Sequence, residues 1–432
     1  MSRICIDGYN IALPRGTGIA TYGRGLLEAN RARAADCEIL FGPAAPRSSS
    51  SVVNEAALIE PQKPPQRLKR AQRLKRTFET FSSQFGRSAW PVSATHKVNW
   101  PNNVAPPVDR FWSAPHLFHR ANRCFKRHRK LTPLSFEQSA PAPSIMHWTV
   151  PLPIWARHVP NVYTVHDLIP LKAPHTTMND REEYLSLHRQ ILNRADHIAV
   201  ISHQTKEDLI SLFNINEDRI TITYQSVHVP EDATLLSASD IAAELYNTFD
   251  LNWKDYFIHF GAIEPKKNLG RIVEAYLAAG CQTPLVVVGA RGWLEEDETA
   301  LLNQVRRIGG QGASRIRLYE YMSRRMLLNL IRGAKATLFP SIYEGFGLPI
   351  LESMALNTPV LTSKGGATGE VAGDAAVLVA PYDIDSLAAG IRALDADADL
   401  RNELSLRGKD RARIFSPEAY EARLDTLYSR VT

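Results

Sequence analysis

The sequence predicts two doubly wound α/β domains facing each other across a cleft. At 432 residues the chain exceeds one common domain, so two domains of about 200 residues are expected. Short apolar runs alternate with helix-like stretches along most of its length, which implies parallel sheets covered by helices on both faces. The alternation pauses in a linker around residues 230–250 and then restarts. The boundaries that follow are an N-terminal domain over 1–235 with a basic insertion at about 61–130, and a C-terminal domain over 236–415. A final helix over 416–432 is expected to cross back to the first domain.

In chain order, "RICID" reads as the first strand, because Ile4 and Ile6 alternate with polar neighbours. A glycine-bearing turn leads into the helix "GIATYGRGLLEANRA". "NVYTVHDL" is a strand, "DREEYLSLHRQILNRA" a helix and "HIAVIS" a strand. Ser202 ends that strand as the expected cap of the helix "QTKEDLISLF". After the linker come strand "YFIHFG", helix "LGRIVEAYLAAG", strand "PLVVVG", helix "EEDETALLNQVRRIG" and strand "RIRLYEY". Helix "RRMLLNLIRGA", strand "ATLFP", helix "PILESMAL" and the strands "PVLTS" and "AAVLVA" complete the second set. Ligands of such domains lie at the carboxyl ends of strands, in the cleft.

Composition excludes some classes. Hydrophobic residues make up 44% of the chain, enough for sizeable cores, yet no apolar run approaches the roughly 18 residues of a membrane span. "MSRICIDGYNIALPRG" has no signal-peptide core, so a cytoplasmic location is expected, with a peripheral position on the inner face of the cytoplasmic membrane as its extension. Cys5, Cys37, Cys124 and Cys281 form no CxxC and read as reduced thiols with no metal site.

The net charge of +6 is unevenly placed. Residues 61–130 hold 16 Lys/Arg against 2 Asp/Glu, whereas the remainder holds 35 against 43. In "RLKRAQRLKRTFETFSSQF", Leu68, Ala71, Leu74, Phe78, Phe81 and Phe85 would share one helix face, with Arg and Lys opposite. "PHLFHRANRCFKRHRKL" repeats the pattern through Leu117, Phe118, Ala121, Cys124 and Phe125. Such helices suit an anionic membrane surface, or they pack their apolar faces on the core and leave the charge solvated. The stretch between them has no clear periodicity. No nucleic-acid fold motif accompanies the charge, so nucleic acid is not the expected partner.

The chemistry concentrates at strand ends. "ATLFPSIYEGFGLPI" is strand, turn and helix, with Pro349 suited to the first helical turn. Gly345 and Gly347 let backbone approach a ligand, and the N–H groups of Phe346, Gly347 and Leu348 favour a phosphate. An ionised carboxylate beside a phosphate must find other partners, and hydroxyl groups suit it because it only accepts hydrogen bonds. Glu344 and Glu352 are therefore placed to hold hydroxyls on either side of a diphosphate, a sugar on one and a ribose on the other, which describes a nucleotide-sugar. In "HFGAIEPKKNLGRIVEAY", Lys266 and Lys267 leave the strand where a cation can stabilise a departing diphosphate.

These stretches, with "VVVGARGW", "VHDLIPL" and "GTGIATY", resemble the retaining glycosyltransferases of family 4, mannosyltransferase-like members included. The resemblance covers most of the chain outside the basic insertion. It implies the GT-B fold of two Rossmann-like domains, a nucleotide-sugar donor bound mainly by the C-terminal domain, and no metal or other cofactor. It further implies that Glu352 holds the ribose, that Glu344 and the amides of Phe346, Gly347 and Leu348 hold donor sugar and phosphate, and that Lys267 contacts the diphosphate. His166, beside Asp167, would touch the donor sugar or orient the acceptor. Gly16 and Gly18 would bring the first loop to the diphosphate, or simply form a strand-to-helix turn. His147 is a candidate for the acceptor side. Ala262 stands where many members carry an arginine, leaving Lys266 or Arg291 to replace it, and Gly369-Glu370 stands where many have Pro-Glu.

Other patterns carry less. Asp383-Ile384-Asp385 matches the DxD of metal-dependent transferases, but it precedes the helix "SLAAGIRAL" and reads as its cap. Asp395, Asp397 and Asp399 likewise read as loop and cap residues. The expected activity is metal-independent transfer of a hexose, with a lean to mannose from GDP-mannose, to a hydroxyl of a saccharide or lipid-linked saccharide in polysaccharide or glycolipid synthesis, with retention. The alternatives are a nucleotide-sugar epimerase or phosphorylase of the same fold, and an inactive nucleotide- or membrane-binding scaffold. Intact Glu344, Glu352 and Lys267 argue against the scaffold.

Overall fold

The computed structural model describes residues 3–11, 18–33, 35–59, 80–100, 106–230, 235–290, 292, 295–308 and 315–431. The N-terminal sheet contains β1 (Arg3–Asp7), β2 (Asp36–Phe41), β3 (Arg87–Ser93), β4 (Arg110–Ser113), β5 (Thr132–Phe136), β6 (Ile145–Trp148), β7 (Ile154–Ala156), β8 (Asn161–Val165), β9 (His197–Val200) and β10 (Ile220–Ile222). Their order is β10-β9-β8-β6-β1-β2-β4-β3-β5-β7, parallel except where β3 meets β4. The C-terminal sheet contains β11 (Phe257–Phe260), β12 (Leu285–Val288), β13 (Ile316–Tyr319), β14 (Ala336–Phe339), β15 (Val360–Ser363) and β16 (Val377–Val379). Its order is β13-β12-β11-β14-β15-β16, and every pairing is parallel.

β11, β12 and β14 are buried along their whole length, which is why they read as continuous apolar runs rather than alternating ones. The strand order turns back between β11 and β14, which pair directly through Phe257↔Ala336 and Ile258↔Thr337. The loops leaving these two strands therefore emerge side by side, at the point where open α/β sheets bind ligands.

Three features differ from the sequence expectation. Most of the presumed linker at 230–250 is a helix, Ala238–Phe249, capped by Ser237 and packed through Ile241 and Leu245. The basic segment is also not a separate insertion beyond residue 86: β3 and β4 lie within it, and β4 pairs with β2 inside the main sheet. Helix Leu117–His128 buries Leu117, Phe118, Ala121, Cys124 and Phe125, so its apolar face is part of the core. The other basic amphipathic stretch falls mostly on residues 60–79, outside the described residues. Of its apolar residues, Phe81 and Phe85 are described and exposed, at 44% and 66%. Finally, Asp395 is not a loop residue: it ends helix Ile384–Ala396 and accepts from Thr283 Oγ1 at 2.5 Å and Lys335 Nζ at 2.9 Å.

Ser202 and Asp383 cap their helices, and Asp397 caps helix Ala398–Arg413, in whose first turn Asp399 lies. The last helix, Pro417–Ser429, packs against helix Gly18–Ala32 of the N-terminal domain. One core cluster joins Ile4, Leu26 and Ile39 of that domain to Ile350, Met354 and Phe415, so the two domains share apolar packing.

Candidate active site

The two loops at the turning point of the C-terminal sheet are bonded to each other. Ile342 N–H donates to the Lys266 carbonyl at 2.8 Å, and Asn268 Nδ2 donates to the Pro340 carbonyl at 3.0 Å. This brings together side chains 77 residues apart: Lys267 Nζ lies 2.5 Å from Glu344 Oε1 and 4.5 Å from the centre of the Phe339 ring. Lys266 Nζ lies 3.6 Å from Glu264 Oε2 and 4.0 Å from Glu344 Oε2. Burial alone would raise the pKa of Glu344, but Lys267 and Lys266 outweigh it and hold the carboxyl below its ordinary value. Burial disfavours charge on Lys266 as well, yet Glu344, Asp167 and Glu264 reverse the effect and hold its ammonium above the ordinary value. The result is an ammonium on Lys266 and a carboxylate on Glu344 held charged beside Lys267 in a sheltered site, where electrostatic interactions are strong.

Next to this cluster, helix Leu348–Ala355 begins with Pro349 in its first turn and Gly347 at φ 144°, a conformation that needs glycine. Helix geometry leaves the Leu348 N–H without an intrahelical acceptor. The Phe346 side chain, in contrast, is buried against Tyr224 and Phe415, with ring centres 6.1 and 5.6 Å away. Glu352, one turn into the helix, is paired with Arg324 Nη2 at 2.5 Å. Arg324 carries no signal in the sequence, because it begins a different helix, Arg324–Gly333, with no motif of its own.

The N-terminal domain supplies the opposite wall. His166 and Asp167 follow β8, and Gly345 sits so near them that a Cβ there would lie 2.2 Å from the His166 carbonyl oxygen. The His166 ring donates from Nε2 to the Thr149 carbonyl at 2.8 Å and stands edge-on to Tyr22 at 4.7 Å. Burial pulls its pKa down to about 4, with the Thr149 bond opposing, so the ring is neutral near pH 7. With the proton on Nε2, Nδ1 carries a lone pair that can accept from a hydroxyl. Burial pushes the Asp167 carboxyl up, and Lys266 across the cleft opposes that rise.

Other sequence candidates fare differently. His147 is completely buried, bonded through Nδ1 to Tyr428 Oη at 2.7 Å and through Nε2 to Thr164 Oγ1 at 2.8 Å. Burial, with His166 adding to it, lowers its pKa to about 3. It joins the last helix to the sheet and does not line the acceptor side, because both ring nitrogens are used inside the core. Gly18 opens helix Gly18–Ala32, and no described atom lies within 4 Å of a Cβ placed there. Gly16 and Arg291 lie outside the described residues. Glu370, noted only for its missing proline, instead contacts the N-terminal domain: its carboxylate accepts from the N–H of His203 at 2.9 Å and of Gln204 at 3.3 Å. The four cysteines are free and buried. Among the described residues there is no group of three or more His, Cys, Asp or Glu that could hold a metal, and no helix long and apolar enough to cross a membrane.

Known proteins share the chain's sequence pattern and fold. Residues 250–411 match the family model described as glycosyl transferases group 1, and residues 88–229 match the one described as Glycosyltransferase Family 4. The second match begins inside the basic segment, so residues 88–130 belong to the family pattern, contrary to the sequence expectation. The chain is 32% identical over 277 residues to O-antigen chain mannosyltransferase B of Escherichia coli, covering 60% of this chain and 70% of that protein. It is 26% identical over 249 residues to O-antigen chain mannosyltransferase RfbU of Salmonella typhimurium, covering 58% and 63%. Sucrose-phosphate synthase from Thermosynechococcus elongatus superposes with a TM-score of 0.67 at 18% identity, over 100% of this chain and 99% of that one, which shows a common fold.

Proposed function

Because the chain belongs to glycosyltransferase family 4 and is a hexosyltransferase of the GT-B fold, we propose that it transfers mannose from GDP-mannose to a hydroxyl of a saccharide or lipid-linked saccharide, with retention and without a metal. The observation that carries this reading is the Lys267–Glu344 pair, with Lys266 beside it, at the start of helix Leu348–Ala355 and facing His166. Both relatives described above are O-antigen mannosyltransferases, which favours mannose as the sugar and a polysaccharide precursor as the acceptor.

In the proposed reaction the bond between C1 of mannose and the β-phosphate oxygen breaks, and a bond from C1 to the acceptor oxygen forms on the same face. The acceptor proton passes to the leaving phosphate, and GDP departs. Lys266, Lys267 and the N-terminal end of helix Leu348–Ala355 stabilise the negative charge that develops on the diphosphate. Glu344 and neutral His166 accept hydrogen bonds from sugar hydroxyls and fix the ring. A thermal-shift panel of GDP-, UDP- and dTDP-sugars tests the donor, since a ligand that binds only the folded state raises apparent stability. GDP-mannose is expected to give the largest shift; a larger shift from another nucleotide-sugar would replace it.

Glu352 is assigned to the ribose, with Arg324 holding its carboxylate in place. Hydrogen bonds to charged groups contribute about 1.5–3 kcal/mol, so Glu352→Ala is expected to weaken free GDP by about tenfold or more. Calorimetry that finds GDP affinity unchanged would remove this role.

The proposal includes attachment to an anionic membrane that carries the acceptor. It is supported by Lys126, Arg127 and Lys130, exposed at and just beyond the end of helix Leu117–His128, and by Phe81 and Phe85 beside them, Phe81 lying 5.6 Å from the His128 ring. Each basic residue near such a surface contributes roughly 1 kcal/mol. The protein is expected to float with phosphatidylglycerol vesicles at low salt and to be released by high salt. Absence of flotation at low salt would contradict attachment.

A further inference from the structure

Two residues of the C-terminal domain grip one helix of the N-terminal domain, and neither belongs to the substrate-binding set described above. The helix is His203–Phe213. Glu370 places its carboxylate on the first two N–H groups of that helix, where the helix dipole favours an anion. Arg411 holds the end of the segment carrying Glu370, donating from Nη2 to the Glu370 carbonyl and from Nε to the Val371 carbonyl, at 2.5 and 2.8 Å. Farther along, Asp208 accepts a hydrogen bond from the Tyr343 hydroxyl.

Asp208 is itself built in. Its side chain is 2% exposed, and its carboxylate also receives Lys172 Nζ at 2.8 Å and Gln204 Nε2 at 3.1 Å. A buried carboxylate with three donors has one favourable position, so the Tyr343 hydroxyl that reaches it is located to within a hydrogen-bond length. Tyr343 directly precedes Glu344 and stands two residues before Gly345, the residue pressed against the His166 carbonyl.

We propose that Tyr343 and Glu370 are positioning residues that clamp helix His203–Phe213 and thereby seat Glu344 opposite His166 in the arrangement that reacts. On the proposed reading the nucleotide rests mainly on the C-terminal domain, so its binding depends far less on the clamp than sugar transfer does. This inference rests on the hexosyl-transfer reading for its kinetic arm only.

The test uses the full chain carrying Tyr343→Phe, Asp208→Asn or Glu370→Gln. Tyr343→Phe removes only a hydroxyl. It is expected to lower kcat about tenfold or more, from the loss of a hydrogen bond to a charged group, while the Kd for free GDP stays within about twofold. Asp208→Asn, which keeps an acceptor oxygen, is expected to lose less than Asp208→Leu, and Tyr343→Phe combined with Asp208→Leu no more than Asp208→Leu alone. Small-angle scattering provides an arm that needs no donor: Tyr343→Phe combined with Glu370→Gln is expected to increase the radius of gyration at unchanged mass. An unchanged radius together with wild-type turnover would overturn the clamp. So would a loss of GDP affinity in proportion to the loss of turnover. If no nucleotide-sugar is turned over by the unmodified protein, the functional reading fails, and the scattering result still decides the clamp.

Discussion

Gly345→Ala is expected to reduce sugar transfer by about 10²-fold while leaving the affinity for free GDP near that of the unmodified protein. The added Cβ would lie 2.2 Å from the His166 carbonyl oxygen and 3.0 Å from its carbon. Both are backbone atoms that cannot rotate away, so relief requires the loop and His166 to separate by more than 1 Å. A displacement of about 1 Å at a reacting centre can cost on the order of 10²-fold in rate. Nucleotide affinity is spared because the loops after β11 and β14 remain tied to each other through Ile342 and Asn268. Transfer kinetics and calorimetry on the same preparation check this. A variant with normal turnover would show that Gly345 and His166 do not meet in the reacting state.

Glu344→Gln is expected to lower kcat by about 10²–10³-fold, the range seen when one preorganised electrostatic group is removed from an active site. The substitution keeps shape and removes charge, and it leaves Lys267 and Lys266 with an amide in place of their shared carboxylate. Breaking a buried pair from one side costs about 3–5 kcal/mol of stability, and the partial exposure of this cluster, at 11–18% for the three side chains, places the expected cost at or below the low end of that range. Free GDP should bind the variant as well as before or better, because the diphosphate then meets two cations no longer neutralised by Glu344. Denaturant unfolding and GDP titration separate the two effects. Parallel losses of GDP affinity and turnover would contradict the assignment of Glu344 to the sugar.

The C-terminal half was the more legible in sequence. β11, β12, β14 and β15 are short, fully buried runs bounded by glycine, proline or polar residues, and the turn around Gly345 and Gly347 is marked by its own residue types. In the N-terminal half, β2, β3, β4 and β5 carry no clear strand pattern. "DCEILF" and "RFWS" are nearly continuous buried runs without alternation, and β3 contains a proline that breaks a strand pattern. The helix Ala238–Phe249 had a readable signal, since Ser237 precedes Asp240 in the spacing of a cap and Ile241 and Leu245 are one turn apart. Its polar composition made it resemble a linker.

The site divides in the same way. Glu344, Glu352 and Lys267 were found from local motifs. The contacts of Arg324 with Glu352, Asp208 with Tyr343 and Glu370 with the His203 N–H are not legible, because they span 28, 135 and 167 residues and each charge reads locally as an ordinary helix-surface one. The place of His147 is not legible, because a histidine near a strand end looks the same in sequence whether its ring faces solvent or Tyr428.

Retaining mannosyl transfer from GDP-mannose at the Lys266–Lys267–Glu344 cluster, as proposed above, has a direct test. Slow donor hydrolysis followed by ¹H NMR tests it without knowledge of the acceptor. Incubated with GDP-α-mannose, the unmodified protein is expected to release GDP and mannose whose anomeric signal is initially α, before mutarotation, with the rate unchanged by EDTA and abolished in Lys267→Ala. An initial β signal would contradict retention, and hydrolysis that persists in Lys267→Ala would show that this cluster is not where the bond breaks.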